Sequence, residues 1–194
     1  MKEDTVTVAE ISSFQLETIQ DFCPQVSAIL NITEDHLNRH HTMEEYIRVK
    51  EQITSNQTSD QVCVLNYEDM TLREFGKQIP ARVVYFSSLQ PLERGIYLDG
   101  EDIVLATEQE KIVITSTDRL KILGIHNYEN TMAAAAMAYY AGVPVENIRR
   151  SIESFTAVEH RIEYVTEKNG VVYYSFRQVD STQTRIEVRN FYFN

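Results

Sequence analysis

The sequence reads Glu-Ile-Ser-Ser-Phe-Gln-Leu over residues 10–16 and Asn-Ile-Thr-Glu-Asp-His-Leu-Asn-Arg-His over residues 31–40. Each stretch overlaps the end of a β-branched apolar run, at residues 6–11 for the first and 26–32 for the second. The two stretches carry carboxylate, hydroxyl, amide and imidazole groups. Such runs predict strands of a parallel α/β sheet, and ligands collect at the carboxyl ends of such strands. Residues 13–20 carry apolar side chains at helical spacing, which predicts a short crossover between the two strands. The pair of stretches therefore predicts a polar site at one edge of a sheet.

The rest of the chain alternates strand-like and helix-like segments. Thr42 is predicted to cap a helix, with Glu45 at the capping-box position and Lys50 further along. Asp99 and Gly100 predict a hairpin turn. We expect strands at 62–65, 81–86, 96–98, 103–105 and 111–116, helices at 69–78, 127–141 and 145–155, and a second hairpin from 162–165 and 171–174. The predicted fold is a three-layer α/β domain with a mostly parallel sheet and a smaller antiparallel hairpin region.

Composition narrows the functional class. The chain has 194 residues, of which 43% are hydrophobic, enough to bury the core of one large domain or a domain with a small appendage. A net charge of -11 opposes a surface that follows nucleic-acid phosphates, because such a surface needs excess Lys and Arg. Cys23 and Cys63 lie far apart, which indicates neither a disulfide framework nor a zinc site and favours a reducing cytoplasm. The N-terminus is not typical of a secretory signal, and no apolar run is long enough to cross a bilayer.

Glu10, His36 and Lys50 form the first candidate set. A carboxylate and an imidazole can bind a divalent cation, but Mg²⁺ prefers oxygen ligands, so the residues alone favour strand-end groups satisfied by backbone. Lys50 would then be a solvated helix lysine. Ser12, Ser13 and Gln15 have an equally plain interpretation as helix-capping groups. His40 and His41 are interpreted as an exposed loop feature.

The second candidate set follows Gly124. Asn127 and Asn130 are three residues apart at a helix start, so their amides project from neighbouring turns and can face one planar ring. The alternative is that Asn127 is the N-cap, since Asn is among the best capping residues. Arg161 could bind phosphates through its guanidinium fork or form a surface ion pair with Glu159 or Glu163.

These segments resemble the Mur ligases, and the Ser-Ser-Phe-Gln-Leu-Glu run resembles the members that add D-glutamate to UDP-N-acetylmuramoyl-L-alanine. The resemblance extends to about Tyr174 and implies amide ligation with ATP and Mg²⁺ through an acyl phosphate, the D-glutamate amine attacking. The resemblance implies that Lys50, as a carbamate, and His36 have catalytic roles and that Glu10, His36 and Lys50 contact the metal. It also implies that Ser12 and Gln15 bind the muramoyl substrate and that Asn127, Asn130 and Arg161 bind ATP.

Two features depart from the family pattern. The sequence holds no GxxxxGK[ST] loop for cradling phosphates, and after Tyr174 it does not continue with the family's Asn-Asp-Ser-Lys hinge. We therefore expect a central domain over residues 1–161 that lacks the phosphate-loop part, the start of a hinge at 162–174, and a non-family tail at 175–194 from a frameshifted or misassembled gene end. The isolated chain is expected to be an inactive fragment. The alternatives are a non-catalytic remnant or binding module, and a different amide ligase such as a folylpolyglutamate synthase, against which the Ser-Ser-Phe-Gln-Leu segment argues.

Overall fold

The computed structural model describes residues 6–156, 163–168, 171–175, 177–180 and 183–186. Six α-helices and ten β-strands are assigned within these residues, together with short 3₁₀ helices at Gln52–Thr54 and Thr117–Arg119. The helices are α1 (Ser13–Leu16), α2 (Leu37–His40), α3 (Met43–Glu51), α4 (Met70–Gly76), α5 (Ile125–Tyr140) and α6 (Val145–Ser154). The strands are β1 (Val26–Ile29), β2 (Val62–Asn66), β3 (Arg82–Ser87), β4 (Gly95–Asp99), β5 (Asp102–Ala106), β6 (Lys111–Ser116), β7 (Glu163–Lys168), β8 (Val171–Ser175), β9 (Arg177–Asp180) and β10 (Gln183–Ile186).

A six-stranded sheet organises the fold, in the order β1-β2-β3-β4-β5-β6. The first four strands are parallel to one another, whereas β4, β5 and β6 are joined by antiparallel pairing. The helical connections between β1, β2 and β3 satisfy the requirement that parallel strands be linked by crossovers. Because these strands run in the same direction, the carboxyl ends of β1, β2 and β3 lie along one edge of the sheet.

Helices cover both faces of the sheet. Strand β2 is buried at every position, and its residues divide between two cores. Val64 belongs to the larger core with Met132 of α5 and Ile148 of α6, whereas Leu65 packs on the opposite face with Leu72 of α4. A strand buried on both faces between helices is characteristic of parallel α/β sheets. The predicted three-layer α/β architecture is confirmed.

The predicted elements after residue 26 are present, with ends shifted by a few residues at most. The turn of the β4–β5 hairpin contains Gly100 at φ 62°, the left-handed conformation that the Asp-Gly pair predicted. Strands β7 and β8 pair antiparallel, which confirms the second predicted hairpin, although its turn lies outside the described residues. Strands β9 and β10 form a further antiparallel pair.

The strand predicted at residues 6–11 is wrong. Residues 6–12 have no helix or strand, and Val6 and Val8 are 72% and 86% exposed. Alternating β-branched residues favour a strand only when a neighbouring strand supplies the ladder. In the described part of the chain, β1 stands at the edge of the sheet with β2 as its partner.

Candidate functional site

The first segment of the candidate site is the helix start at Ser12. Its hydroxyl accepts a hydrogen bond from the Gln15 amide at 3.4 Å, and the Gln15 side chain accepts from the Ser12 amide at 2.9 Å. This reciprocal pair is a capping box, so the capping interpretation is confirmed for Ser12 and Gln15. It is wrong for Ser13, which is buried and contacts a histidine of α2. The side chains of Ser12 and Gln15 are exposed. Their contacts with the muramoyl substrate stay a prediction.

The predicted metal ligands Glu10 and His36 lie just before α1 and at the start of α2, respectively. Glu10 is exposed in the segment before α1, and His36 begins α2 in the left-handed conformation at φ 54°. The imidazole Nε2 of His36 lies 3.4 Å from Asp35 Oδ2, and its ring centroid lies 4.9 Å from that of Phe14. His36 therefore contacts the α1 segment through Phe14.

Lys50 is half-buried on α3, the helix that Thr42 caps by accepting from the Glu45 amide. Its ammonium Nζ lies 3.5 Å from the Asn31 carbonyl oxygen and 5.2 Å from the centre of the Tyr46 ring. The aromatic ring and the carbonyl oxygen both attract the positive charge of the ammonium and so restrict its position. Lys50 is therefore not simply a solvated helix lysine, because its amine lies at the carboxyl end of β1.

Polar side chains join the ends of β1 and β2. Asn66, the last residue of β2, donates from Nδ2 to the Leu30 carbonyl at 3.1 Å. Asp69 accepts from the Ile32 amide at 2.9 Å through one oxygen and from the Leu72 amide at 3.2 Å through the other, as the N-cap of α4. These bonds fix the backbone beside Asn31, where the Lys50 amine lies.

The end of β3 connects this edge to α5. Ser87 donates to Glu68 Oε1 at 2.6 Å, while the buried Oε2 of Glu68 has no partner in the described part of the chain. The next residue, Ser88, donates to Glu129 Oε1 of α5 at 2.7 Å. Lys50 and the start of α5 therefore lie along one continuous sheet edge.

Helix α5 begins at Ile125, two residues earlier than the sequence indicated. Gly124, at φ 99°, is its N-cap, so the interpretation of Asn127 as the cap is wrong. Asn127 instead donates from Nδ2 to the Leu123 carbonyl at 2.7 Å. Asn130 is exposed and shares a helix face with Asn127. The amide of Asn130 is therefore more available to a ligand than that of Asn127.

The groups proposed for the metal do not form a cation site as they stand. Among residues 6–156 and the four described strands beyond them, no group of three or more His, Cys, Asp or Glu side chains could hold a metal ion. Lys50 is itself a cation, which a metal ion would repel, and Glu10 extends into solvent. The set would acquire the oxygen ligands that Mg²⁺ prefers only if Lys50 carried an anionic group.

Sequence reasoning missed Glu68, Ser87, Ser88 and Glu129, and it wrongly interpreted His40 as exposed, whereas His40 is buried. Ser87 and Ser88 could have been found, because polar residues directly after a buried strand mark a carboxyl edge. Nothing in the sequence pairs Glu129 with Ser88, 41 positions away. Arg161 lies outside the described residues, so its phosphate contact stays a prediction.

A mostly parallel α/β sheet with polar groups at its carboxyl edge is typical of ligand-binding α/β domains. Comparison with known proteins identifies the family. The Mur ligase middle domain model matches residues 1–138, and the chain belongs to this family. It is 54% identical over 174 residues to the UDP-N-acetylmuramoylalanine--D-glutamate ligase of Lachnoclostridium phytofermentans, covering 90% of this chain and 38% of that protein. It is 47% identical over 171 residues to the ligase of the same name from Clostridioides difficile, covering 88% and 38%. The chain thus spans less than half the length of these relatives.

Solved structures share the fold at lower identity. A UDP-N-acetylmuramoyl-L-alanyl-D-glutamate--2,6-diaminopimelate ligase superposes with a TM-score of 0.63 at 22% identity, covering 81% of this chain and 34% of that one. MurF from Acinetobacter baumannii gives a TM-score of 0.60 at 22% identity, covering 78% and 33%. Within the described residues, none of the helices has the length and apolar character needed to cross a membrane.

Proposed function

We propose that this chain is part of an ATP-dependent ligase that joins D-glutamate to UDP-N-acetylmuramoyl-L-alanine in peptidoglycan biosynthesis. The observation that carries the proposal is the 54% identity to a ligase of that name. The geometry supports it, because Lys50 and the Asn127–Asn130 turn of α5 lie along the same sheet edge. The free thiols of Cys23 and Cys63 favour a reducing cytoplasm as its location.

Within this proposal, the two ends of the edge have different tasks. Asn130 and Asn127 offer amide donors and acceptors to the adenine of ATP, with Arg161 near its phosphates. Ser12 and Gln15 face the muramoyl substrate from the start of α1. Glu10, His36 and a carbamylated Lys50 would serve Mg²⁺, which supplies neutralisation of phosphate charge when bound. Carbamylation is essential to this assignment, since it replaces the cationic amine with an oxygen ligand.

A domain exchange tests the proposed function. Residues 6–156 replace the matching stretch of the Lachnoclostridium phytofermentans ligase, and product formation is measured with ATP, D-glutamate and UDP-N-acetylmuramoyl-L-alanine. We expect turnover within about tenfold of the parent enzyme, a loss of no more than 1.4 kcal/mol in transition-state stabilisation. L-glutamate and diaminopimelate serve as control amino acids. A folded chimera that joins one of these in preference to D-glutamate would contradict the assignment.

Asn130→Ala gives the cleaner test of the adenine contact. In the chimera we expect the KM for ATP to rise about tenfold, the equivalent of roughly 1–2 kcal/mol for a lost polar contact, with the melting temperature unchanged. Asn127→Ala should raise the KM as well, but it should also lower stability, because the Asn127 side chain holds the Leu123 carbonyl. An unchanged ATP dependence in both variants would refute the contact.

A further inference from the structure

His40 is an unusual group in this molecule because a histidine at a helix end is 3% exposed. Its Nε2 lies 3.0 Å from the Ser13 hydroxyl of α1, and its Nδ1 lies 3.6 Å from Glu17 Oε1. The ring stacks on Phe14 with centroids 5.7 Å apart and planes at 18°, and it meets Tyr46 of α3 at 5.3 Å. One buried side chain thus contacts α1, α3 and the turn after α1.

These contacts connect the groups of the candidate site. The Tyr46 ring that touches His40 lies under the Lys50 ammonium. The Phe14 ring that stacks on His40 also contacts His36. Ser13 is the first residue of α1, directly after Ser12. His40 is therefore linked to Lys50 through Tyr46, to His36 through Phe14 and to Ser12 through the adjacent Ser13.

Charge around the ring fixes its hydrogen bonding. Glu17 receives two hydrogen bonds from Arg39, at 3.0 and 2.6 Å. These bonds, with the charge of Arg39 adding to them, hold the pKa of Glu17 below its ordinary value. An ionised Glu17 favours the proton on the facing Nδ1 of His40, which leaves Nε2 to accept from the Ser13 hydroxyl.

The Ser13–His40–Glu17 arrangement has the order of a catalytic triad, but Ser13 is only 5% exposed. A buried hydroxyl that is paired with the imidazole cannot reach a substrate carbonyl. We infer that His40 is a positioning residue. It ties the segment carrying Ser12 and Gln15 to the helix carrying Lys50, and its catalytic consequence rests on the proposed function.

Amide hydrogen exchange of the 194-residue chain tests directly whether His40 connects the α1 segment to α3. His40→Phe keeps the stacking but removes both ring nitrogens, whereas His40→Gln keeps a polar group facing Ser13. We expect the Leu16 and Glu17 amides, which donate to the Ser12 and Ser13 carbonyls, to exchange at least tenfold faster in His40→Phe. His40→Gln should restore most of this protection. His41→Asn, at the exposed neighbouring position, is the matched control and should change neither amide.

The Val64 and Leu65 amides of β2 separate positioning from general stability, because they lie in the buried sheet. A merely structural residue would accelerate exchange in β2 as much as in α1, and that result would overturn the inference. Unchanged α1 protection in His40→Phe would overturn it as well. In the chimera, His40→Phe should lower kcat at least tenfold with little change in the KM for ATP. Faster amide exchange in α1 with an unchanged kcat would also contradict the positioning role. The proposed function would not be affected, because it is assayed with His40 intact.

Discussion

Gly95→Ala is expected to destabilise the chain by roughly 3–5 kcal/mol, since it combines backbone strain with overpacking. Gly95 is buried at the start of β4 with φ 134°, a conformation that L side chains rarely adopt. A methyl group there would collide with the Tyr85 carbonyl oxygen of β3 and lie 2.9 Å from Leu92 Cδ1. The carbonyl belongs to the backbone of a central strand, so it cannot move aside. Denaturant unfolding followed by circular dichroism measures the loss.

Gly100→Ala is the matched control. Gly100 also has positive φ, at 62°, but a methyl group added there would meet no atom within 4 Å. Only the left-handed conformation is penalised, at about 1 kcal/mol. Adding Leu92→Ala to Gly95→Ala should restore little stability, because the collision with the carbonyl remains. Equal losses at Gly95 and Gly100 would show that the close approach of β3 and β4 does not matter.

The sequence was most informative where local patterns decide structure. Strand β6 occupies the predicted residues 111–116, and Thr42 caps α3 as its spacing from Glu45 indicated. These elements follow from β-branched periodicity and from capping chemistry, which need no distant partner. Turn chemistry at Gly100 is equally local. The fold class could therefore be predicted from the sequence.

Two of the three failures involve tertiary contacts. His40 was interpreted as exposed, yet it is buried because Phe14 and Tyr46 enclose its ring. Asn127 was weighed as a cap, but a glycine at positive φ ends the preceding loop and takes that place. The segment 6–11 has the residues of a strand without the ladder that makes one. For His40 and for residues 6–11 the outcome depends on parts of the chain distant in sequence, which a single sequence does not identify, whereas the start of α5 depends on the local conformation of Gly124.

Lys50→Ala is expected to lower turnover of the chimera by about 10³-fold, the loss typical of removing a group that stabilises transition-state charge. The proposal is that the Lys50 ammonium first loses a proton to give the neutral amine, which adds to carbon dioxide to form a carbamate with release of a second proton. The carbamate nitrogen keeps one N–H, which can still donate to the Asn31 carbonyl now 3.5 Å from Nζ. The new carboxylate supplies oxygen ligands that an ammonium cannot offer.

Chemical rescue distinguishes the carbamate from an ordinary lysine. Short carboxylic acids such as formate, acetate and propionate should partly restore the Lys50→Ala chimera, because they can fill the vacated anion position. Lys77→Ala is the matched control, since Lys77 is exposed directly after α4 and paired with Glu74, and it should leave turnover unchanged. A solvated lysine at position 50 predicts near-normal activity and no rescue. In the unaltered chimera, removal of bicarbonate should lower turnover, and full activity without it would exclude the carbamate.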